Sequence, residues 1–415
     1  MSPVSGRRAW FVWLIGVVVY AIAVMQRTTF GVAGLEASQH FGASAGLVSI
    51  FVVLQLGVYS AAQVPVGLAL DRLGSRTVVS AGALVMAAGQ LLVGSTDVVA
   101  VAIIGRILVG AGDAMTFNSV IRLIPSWFPG HRVPIMTQLT GMFGQVGQVL
   151  SAVPFLSLLV TFGWRTAFFA AAGTAVVSAV VMWSFGRNGP PGVWQPDTTA
   201  SISGVTASLR AILAEPHTAV GFWIHFTTCF STMMFPLMWG YPYLTAGLGY
   251  SSAIASALLS FFALVAIPVG PVVGRLTARY PAHRSDLALG LVALQLASWV
   301  AVLAWPAVPP VWLLVVLVTA LAMGGPGSNI GFDFVRTSQP PQRVGTGTGI
   351  VLMGGFTATL VSVLLIGLAL DAVVGDGGYD QRSFTLAMGT QAPIYLLGLA
   401  GILLSRHRLR TRPTG

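Results

Sequence analysis

The sequence has 415 residues, of which 8% are charged and 55% are hydrophobic, and its mean hydropathy is +0.84. Soluble domains carry about 25% charged residues, so this composition excludes a soluble globular protein. The net charge is +10, because 21 arginines outnumber 11 aspartates and glutamates. Because these arginines are spread between apolar segments, we expect a lipid bilayer and no nucleic acid as partner.

Apolar segments of the length that spans a bilayer, about 20 residues, recur along the chain. We predict twelve spans, at residues 10–32, 45–70, 76–96, 98–122, 133–160, 164–186, 217–245, 251–274, 285–305, 311–335, 344–371 and 383–405. Arg7 and Arg8 precede the first apolar segment, which has no small-residue cleavage site. This pattern predicts a first span that starts in the cytoplasm, and no cleaved signal peptide.

Twelve spans place both termini on one side of the membrane. With that side assigned to the cytoplasm, most of the arginines lie inside, as the positive-inside rule requires. The inside set is Arg7, Arg8, Arg72, Arg76, Arg122, Arg132, Arg187, Arg210, Arg275, Arg279, Arg284, Arg336, Arg343, Arg406, Arg408, Arg410 and Arg412. Arg165 and Arg382 fall near outer ends, and Arg27 and Arg106 fall within spans. We therefore predict a multi-pass protein of the cell membrane with cytoplasmic termini.

The chain divides into two similar halves. Residues 187–216 are polar and predict a cytoplasmic linker between an N-terminal six-helix bundle (1–186) and a C-terminal one (217–415) that ends in a short basic tail. The segments 65–76 and 268–279 match at six positions with one constant offset, each at the second-to-third span junction of its half. Such repeated halves are typical of transporters.

Two motifs carry a family resemblance. Residues 67–76 resemble the signature loop of the major facilitator superfamily: Gly, then Asp four residues on, Arg, Gly and Arg. Residues 106–112, Arg-Ile-Leu-Val-Gly-Ala-Gly, resemble its second signature in the fourth span. The resemblance implies an all-α membrane protein with twelve transmembrane helices in two pseudo-symmetric six-helix bundles. It also implies a central cavity lined mainly by the first and fourth helices of each half's three-helix units.

Further segments are similar to the anion:cation symporter branch, whose members import organic acids or sugar phosphates. They lie at residues 106–113, 126–129, 163–165 and 353–356; nitrate porters share parts of this pattern. That branch often has an acidic residue beside the first-span arginine, where this chain has Gln26 before Arg27. The fifth span, 141–148, lacks the Gly-Pro pair expected of drug/proton antiporters.

Three charged residues within spans are the leading site candidates. The guanidinium group of Arg27 can bind a carboxylate or a phosphate with two parallel hydrogen bonds. The alternative is that the side chain extends to the outer membrane–water interface. Tyr20 shares nearly the same helix face. Arg106 is a second anion-binding candidate, and Asp113 is the proton-coupling candidate, with a structural polar contact as its alternative. Arg106 and Asp113 are two helical turns, about 10 Å, apart, so each needs another partner.

The remaining candidates fall into two groups. We predict further substrate contacts at Gln55, Tyr59, Gln145, His225 and Asn329, with helix–helix hydrogen bonds or packing as the alternative. We predict gating residues at Asp71, Arg72, Arg76, Asp333 and Arg336. Asp71 could cap the eleventh helix near Gly345, where the helix dipole favours an anion.

No nucleotide-binding loop, catalytic triad or metal cluster is apparent, so we expect neither an enzyme nor a cofactor. Cys229 is the single cysteine and is expected to be a packing residue. The leading hypothesis is a monomeric secondary transporter that couples protons to uptake of a small organic or inorganic anion. The alternatives are efflux of an amphipathic drug-like compound, for which Met233, Met234 and Phe235 leave room, and a membrane receptor that does not transport.

Overall fold

The computed structural model describes residues 6–42, 45–191, 202–373 and 380–411, and these residues form helices and no strand. The centre of the predicted linker, 192–201, and Arg412 lie outside the described residues.

The helices of the first half and the predicted linker run from α1 to α8. They are α1 (Arg7–Val32), α2 (Gly34–Phe41), α3 (Ala45–Ser95), α4 (Val99–Ala114), α5 (Phe117–Trp127), α6 (Val133–Leu150), α7 (Leu156–Phe185) and α8 (Ile202–Ala214). A π-helical turn, Ser151–Phe155, joins α6 to α7. At 13 residues, α8 is too short to span a bilayer.

The second half runs from α9 to α17. Its helices are α9 (Pro216–Met234), α10 (Gly240–Pro242), α11 (Ser252–Arg279), α12 (Arg284–Leu303), α13 (Val311–Ser328), α14 (Ile330–Ser338), α15 (Val344–Val373), α16 (Gln381–Gly389) and α17 (Gln391–Thr411). Two π-helical turns, Phe235–Trp239 and Tyr243–Gly247, flank α10 and continue α9 irregularly.

Nine helical stretches of the described residues are long and apolar enough to cross a membrane. Two of them, Val53–Ser95 and Gly130–Phe185, have 43 and 56 residues, enough for two crossings each. Gly74 (φ 77°) and Gly163 (φ 82°) divide them, in a left-handed conformation that favours glycine. With these divisions, and with α9 and its extension, the twelve transmembrane helices predicted from the sequence are accounted for.

The helices group into two compact units. The first contains residues 1–209 and also 339–350, and the second contains 210–338 and 351–415. The short segment 339–350 groups with the first unit because side chains of α3 and α5 bind it. The sequence-based boundaries, with a first half that ends at residue 186 and a second half that begins at residue 217, remain a prediction.

Each unit has its own aromatic and aliphatic core. In the first unit, Phe30 stacks on Phe51 with ring centroids 4.6 Å apart, and Trp164 meets Phe168 at 4.4 Å. The second unit contains a larger core, to which Phe230, Phe235, Trp299 and Tyr395 contribute. Many polar side chains are also buried inside the units, and a small set of them forms the candidate site.

The fourth and tenth predicted spans are both interrupted. The first interruption, at Met115 and Thr116, separates α4 from α5, and the second, at Asn329, separates α13 from α14. In transporters, helices that are interrupted at corresponding positions of the two halves indicate where the substrate binds. Asp113 lies in the last turn of α4, directly before the first interruption.

Candidate functional site

The centre of the first unit holds an ion pair between α1 and α4. Nε of Arg27 lies 3.0 Å from Oδ2 of Asp113. Asp113 is almost fully buried, whereas the Arg27 side chain is 15% exposed. The Nε–H group of Arg27 is not aligned with the Asp113 carboxylate. The contact is therefore an ion pair without a hydrogen bond, and neither Asp113 oxygen accepts one. Arg27 therefore has a partner that another anion could replace.

Arg106 is bound differently from Arg27. Its guanidinium is fully buried and donates to the backbone carbonyl of Arg27 at 2.9 Å, to Thr29 Oγ1 at 3.3 Å and to Gln55 Oε1. The charge also lies 5.1 Å from the centroid of the Phe30 ring. These contacts fix α1 against α3 and α4, so Arg106 positions the segment that carries Arg27.

Two tyrosines surround the Arg27 guanidinium. Its Cζ atom lies 5.5 Å from the centroid of the Tyr59 ring, a cation–π distance. The Tyr20 side chain also interacts with the Arg27 guanidinium. Gln55, besides accepting from Arg106, donates to the Arg27 carbonyl at 3.3 Å. The structure thus places Tyr20, Gln55 and Tyr59, which the sequence analysis named as candidate substrate contacts, around Arg27.

A neutral amide network lies next to this cluster and was missed by the sequence reasoning. Nε2 of Gln26 donates to the Ala171 carbonyl at 2.7 Å and to Thr174 Oγ1 at 3.1 Å. Gln90 donates in turn to the side chain of Gln26 at 2.9 Å and to Thr29 Oγ1 at 3.1 Å. A signal was present, because Gln90 is an isolated amide in an apolar span. This network fixes α1 against α3 and α7.

The cluster carries unbalanced charge. Arg27 and Arg106 contribute two positive charges and Asp113 one negative charge, when all three are ionised. Buried charge is costly unless it is paired. The cluster therefore carries one surplus positive charge, and Arg27 is the more exposed of its two cations.

A second cluster joins α3 to the start of α15. Oδ1 of Asp71 accepts from the Gly345 amide at 2.9 Å, and Oδ2 accepts from the Thr346 amide at 2.8 Å and its hydroxyl at 2.7 Å. The predicted cap is thus present. Arg122, which sequence reasoning did not connect to it, lies 3.8 Å from Asp71 and donates to the Pro341 carbonyl at 2.6 Å.

The other two gating candidates of segment 67–76, Arg72 and Arg76, do not contact the start of α15. Arg76 stacks over the Trp183 ring at 4.5 Å, and its Nε donates to the Trp183 carbonyl at 2.6 Å. Its backbone amide donates to the Asn188 side chain at 2.8 Å. Arg72 is exposed. Arg76 therefore ties the part of α3 directly after Gly74 to the end of α7.

In the second unit, Asp333 lies between two arginines. Nη2 of Arg336 donates to Oδ1 at 3.0 Å, and Nε of Arg284 lies 3.9 Å from Oδ2. Asn329 is half-buried at the junction of α13 and α14. The arrangement is a compact charge cluster at one end of this unit.

The remaining candidates differ in their surroundings. Gln145 is exposed on α6, the helix whose Gly144 packs against the Tyr20 ring. His225 is buried on α9, and its Nδ1 lies 3.1 Å from the Ser328 carbonyl. Among the residues that the structure describes, no group of His, Cys, Asp and Glu is arranged to hold a metal ion.

Comparisons with known proteins give the family. The model described as Major Facilitator Superfamily matches residues 16–363. The chain is 28% identical over 347 residues to the probable nitrate/nitrite transporter NarK2 of Mycobacterium tuberculosis, covering 80% of this chain and 82% of that one. It is 23% identical over 150 residues to the probable sulfoacetate transporter SauU of Cupriavidus necator, covering 36% and 35%.

Among solved structures, the fucose:proton symporter FucP of E. coli matches with a TM-score of 0.73 at 14% identity, covering 98% of this chain and 100% of that one. At that identity the match shows the fold alone. The family model covers most of the chain, and the fold agrees with it. The chain therefore belongs to the Major Facilitator Superfamily, and it is a multi-pass membrane transporter and not an enzyme.

Proposed function

We propose that the protein is a secondary active transporter that moves a small anion together with protons. The observation that carries this proposal is the Arg27–Asp113 pair, in which a partly exposed cation is held by a buried carboxylate. A guanidinium is the side chain best suited to bind a carboxylate, nitrate-like or phosphate oxygen pair. The surplus positive charge of the cluster supports an anionic solute over a neutral one.

Coupling follows from competition for Arg27. While Asp113 is ionised it occupies the guanidinium, and a solute anion must displace it. Protonation removes the charge of the carboxylate and releases Arg27 for the solute. Proton and anion therefore favour each other's binding, and such coupling is reciprocal. Arg106 acts by holding the backbone of Arg27 and does not need to touch the solute.

The relatives support an anion but not one particular anion. One relative is named for nitrate or nitrite and another for sulfoacetate. These anions differ in size and in chemistry, and they share negatively charged oxygens. Nitrate and sulfoacetate are therefore the first solutes to test, in parallel.

The efflux alternative gains no support from the three residues that left room for it. Met234 and Phe235 are fully buried in the core of the second unit, and Met233 is half-buried. The three residues thus do not supply an exposed apolar surface within this unit. A receptor without transport would bind the anion and show no counterflow.

The cellular placement is part of the proposal. The distribution of arginines supports a cell-membrane protein with both termini in the cytoplasm, and we propose that it works as a monomer. A C-terminal fluorescent protein that folds in the cytoplasm should fluoresce, and a C-terminal alkaline phosphatase should be inactive. The reverse pattern would contradict this orientation.

The test of the proposed function is uptake into proteoliposomes. Labelled nitrate or sulfoacetate should accumulate above its equilibrium level when the side from which it enters is acidic. An uncoupler that collapses the pH gradient should abolish the accumulation. Uptake of either anion that is indifferent to the pH gradient would contradict proton coupling, and no uptake or counterflow of any anion would contradict transport.

A further inference from the structure

Two glutamines interrupt the apolar surface of α6. Gln145 and Gln148 are exposed on this helix, whereas the exposed side chains of Val146, Val149 and Val153 form an apolar face that suits lipid. At about 100° per residue, Gln148 is turned well away from Val149. A polar side chain in hydrocarbon is unfavourable and usually faces protein or a water-filled space. We therefore expect the glutamine face of α6 to meet water and not lipid.

α6 packs against α1, and two contacts fix how these helices are aligned. A Cβ atom added to Gly144 would lie 3.1 Å from the Tyr20 hydroxyl. Further along both helices, the hydroxyl groups of Thr28 and Ser151 are hydrogen-bonded at 2.7 Å. Residue numbers rise in the same direction along both helices, so the helices run parallel. Gln148 lies between the two α6 residues of these contacts, and its height along the helices is between those of Tyr20 and Thr28.

Gln148 and Arg27 lie on the same side of this contact. Seen along the helices from their N-termini, Gln148 lies about 70° clockwise of the α6 residues that contact α1. Arg27 lies about 90° counterclockwise of the α1 residues that contact α6. Because the two parallel helices face each other, these opposite rotations point to one side. Gln148 is thus a neighbour of the candidate anion ligand, on a surface where it is exposed.

Tyr20 connects the two side chains. It interacts with the Arg27 guanidinium, and its ring covers the position of Gly144. Gln148 lies one helical turn after Gly144, and helical side chains lean toward the N-terminus of their helix. Because Gly144 has no side chain, the Gln148 amide has room to lean toward the Tyr20 hydroxyl. Arg27 leans in the same direction on α1, so the guanidinium, the hydroxyl and the amide converge.

We infer that Gln148 is a further solute contact, whose side-chain amide donates a hydrogen bond to an oxygen of the anion bound at Arg27. This inference rests on the proposed function and narrows its substrate class. Arg27 supplies the charge and two donors in a fixed plane, and the amide supplies a neutral donor from a second helix. An oxyanion has several oxygens that can reach both groups, so it fits this pair better than a halide does.

A cysteine at position 148 tests whether this side chain meets water. The chain's single cysteine, Cys229, is first replaced by serine. Gln148→Cys and the matched control Val149→Cys are then treated with a charged methanethiosulfonate in lipid nanodiscs, and the modification is read by intact mass. The thiolate is the reactive form and apolar surroundings disfavour it, so the thiol at 148 should react about tenfold faster or more. Complete reaction of both proteins in denaturant verifies that each thiol is present.

Protection by the solute then tests the contact. Nitrate or sulfoacetate, whichever the wild-type protein exchanges in counterflow, should at saturation slow the reaction of the thiol at position 148. Chloride at the same concentration controls for ionic strength and should not slow it. Equal reactivity of the two thiols would overturn the inference, as would a rate that the exchanged oxyanion lowers no more than chloride does.

Uptake kinetics of two further variants test the hydrogen bond itself. Gln148→Leu removes a donor to a charged group, so the apparent KM should rise about tenfold or more. Gln148→Glu should raise it further, because its carboxylate repels the anion. The Tm in detergent should stay at the wild-type value in Gln148→Leu, since the side chain is exposed. An unchanged KM in both variants would also overturn the inference.

Failure of this contact and failure of the proposed function give different results. If the wild-type protein shows no counterflow of any anion, the proposed function is contradicted and the solute contact with it, even where the thiol at position 148 is reactive. Conversely, proton-driven uptake with an unchanged KM in Gln148→Leu and Gln148→Glu would sustain the proposed function and overturn only the contact at Gln148.

Discussion

The Arg27 guanidinium pairs with the Asp113 carboxylate across α1 and α4, with Nε 3.0 Å from Oδ2. Arg106, on the same helix as Asp113, binds the backbone carbonyl of Arg27 instead of the carboxylate. One arginine therefore has a displaceable side-chain partner, and the other is fixed inside the unit. The predictions for the two arginines differ accordingly.

Replacement of Arg27 should lower anion affinity more than stability. Arg27→Lys keeps the charge and loses the guanidinium fork, and Arg27→Gln loses both. Charge-assisted hydrogen bonds contribute about 1.5–3 kcal/mol, so the apparent KM should rise about 10- to 100-fold in Arg27→Lys and further in Arg27→Gln. Initial uptake rates over a range of anion concentrations measure this. Unchanged KM in both variants would exclude Arg27 from the anion site.

Replacement of Arg106 should act mainly on stability. Arg106→Leu removes the donor to Gln55 Oε1 and one of the two donors to the Arg27 carbonyl and to Thr29 Oγ1. Breaking a buried charged network typically costs about 3–5 kcal/mol. Thermal unfolding in detergent should show a clearly lower Tm than in Arg165→Leu, a control in which the removed arginine is exposed. An Arg106→Leu protein as stable as the control would contradict the positioning role.

Asp71 and Gly345 should behave as one unit. Asp71→Ala removes the cap of α15, which is worth about 0.5–2 kcal/mol. Gly345→Ala places a Cβ atom 2.6 Å from Asp71 Oδ1 and disturbs the same contact. Each single variant should lower the Tm, and the double variant should lose less than the sum of the two losses.

A control for this cycle is Asp286→Ala, whose carboxylate pairs with Arg406. Its effect should add to that of Gly345→Ala, because Asp286 takes no part in the cap of α15. Strict additivity of Asp71→Ala and Gly345→Ala would show that the cap does not contribute to stability.

The sequence predicted the fold well for physical reasons. Apolar runs of bilayer length, the arginine bias and the repeat each depend on local composition, so they can be recognised without tertiary contacts. The junctions were harder. At Gly74 and at Gly163 one helix ends and the next begins without a loop, so a single glycine with positive φ marks each division.

The candidate site was predictable in its residue types and not in its pairing. The spacing of Arg106 and Asp113 indicated that they do not pair with each other, and the structure gives each of them another partner. Which partner each one has depends on the rotation of α1 against α4. α1 is held there by hydrogen bonds from Gln90 and Arg106 to Gln26, Arg27 and Thr29, and contacts between amides and backbone groups carry no charge signal in the sequence.

The central claim is that Asp113 couples proton binding to anion binding at Arg27, and the variant Asp113→Asn tests it most directly. The amide cannot ionise, so Arg27 is no longer held by a carboxylate. Asp286→Asn is the matched control. In proteoliposomes, Asp113→Asn should retain anion counterflow and lose accumulation driven by a pH gradient, whereas the control should retain both. Accumulation by Asp113→Asn at the wild-type level, with unchanged dependence on the pH gradient, would contradict the account.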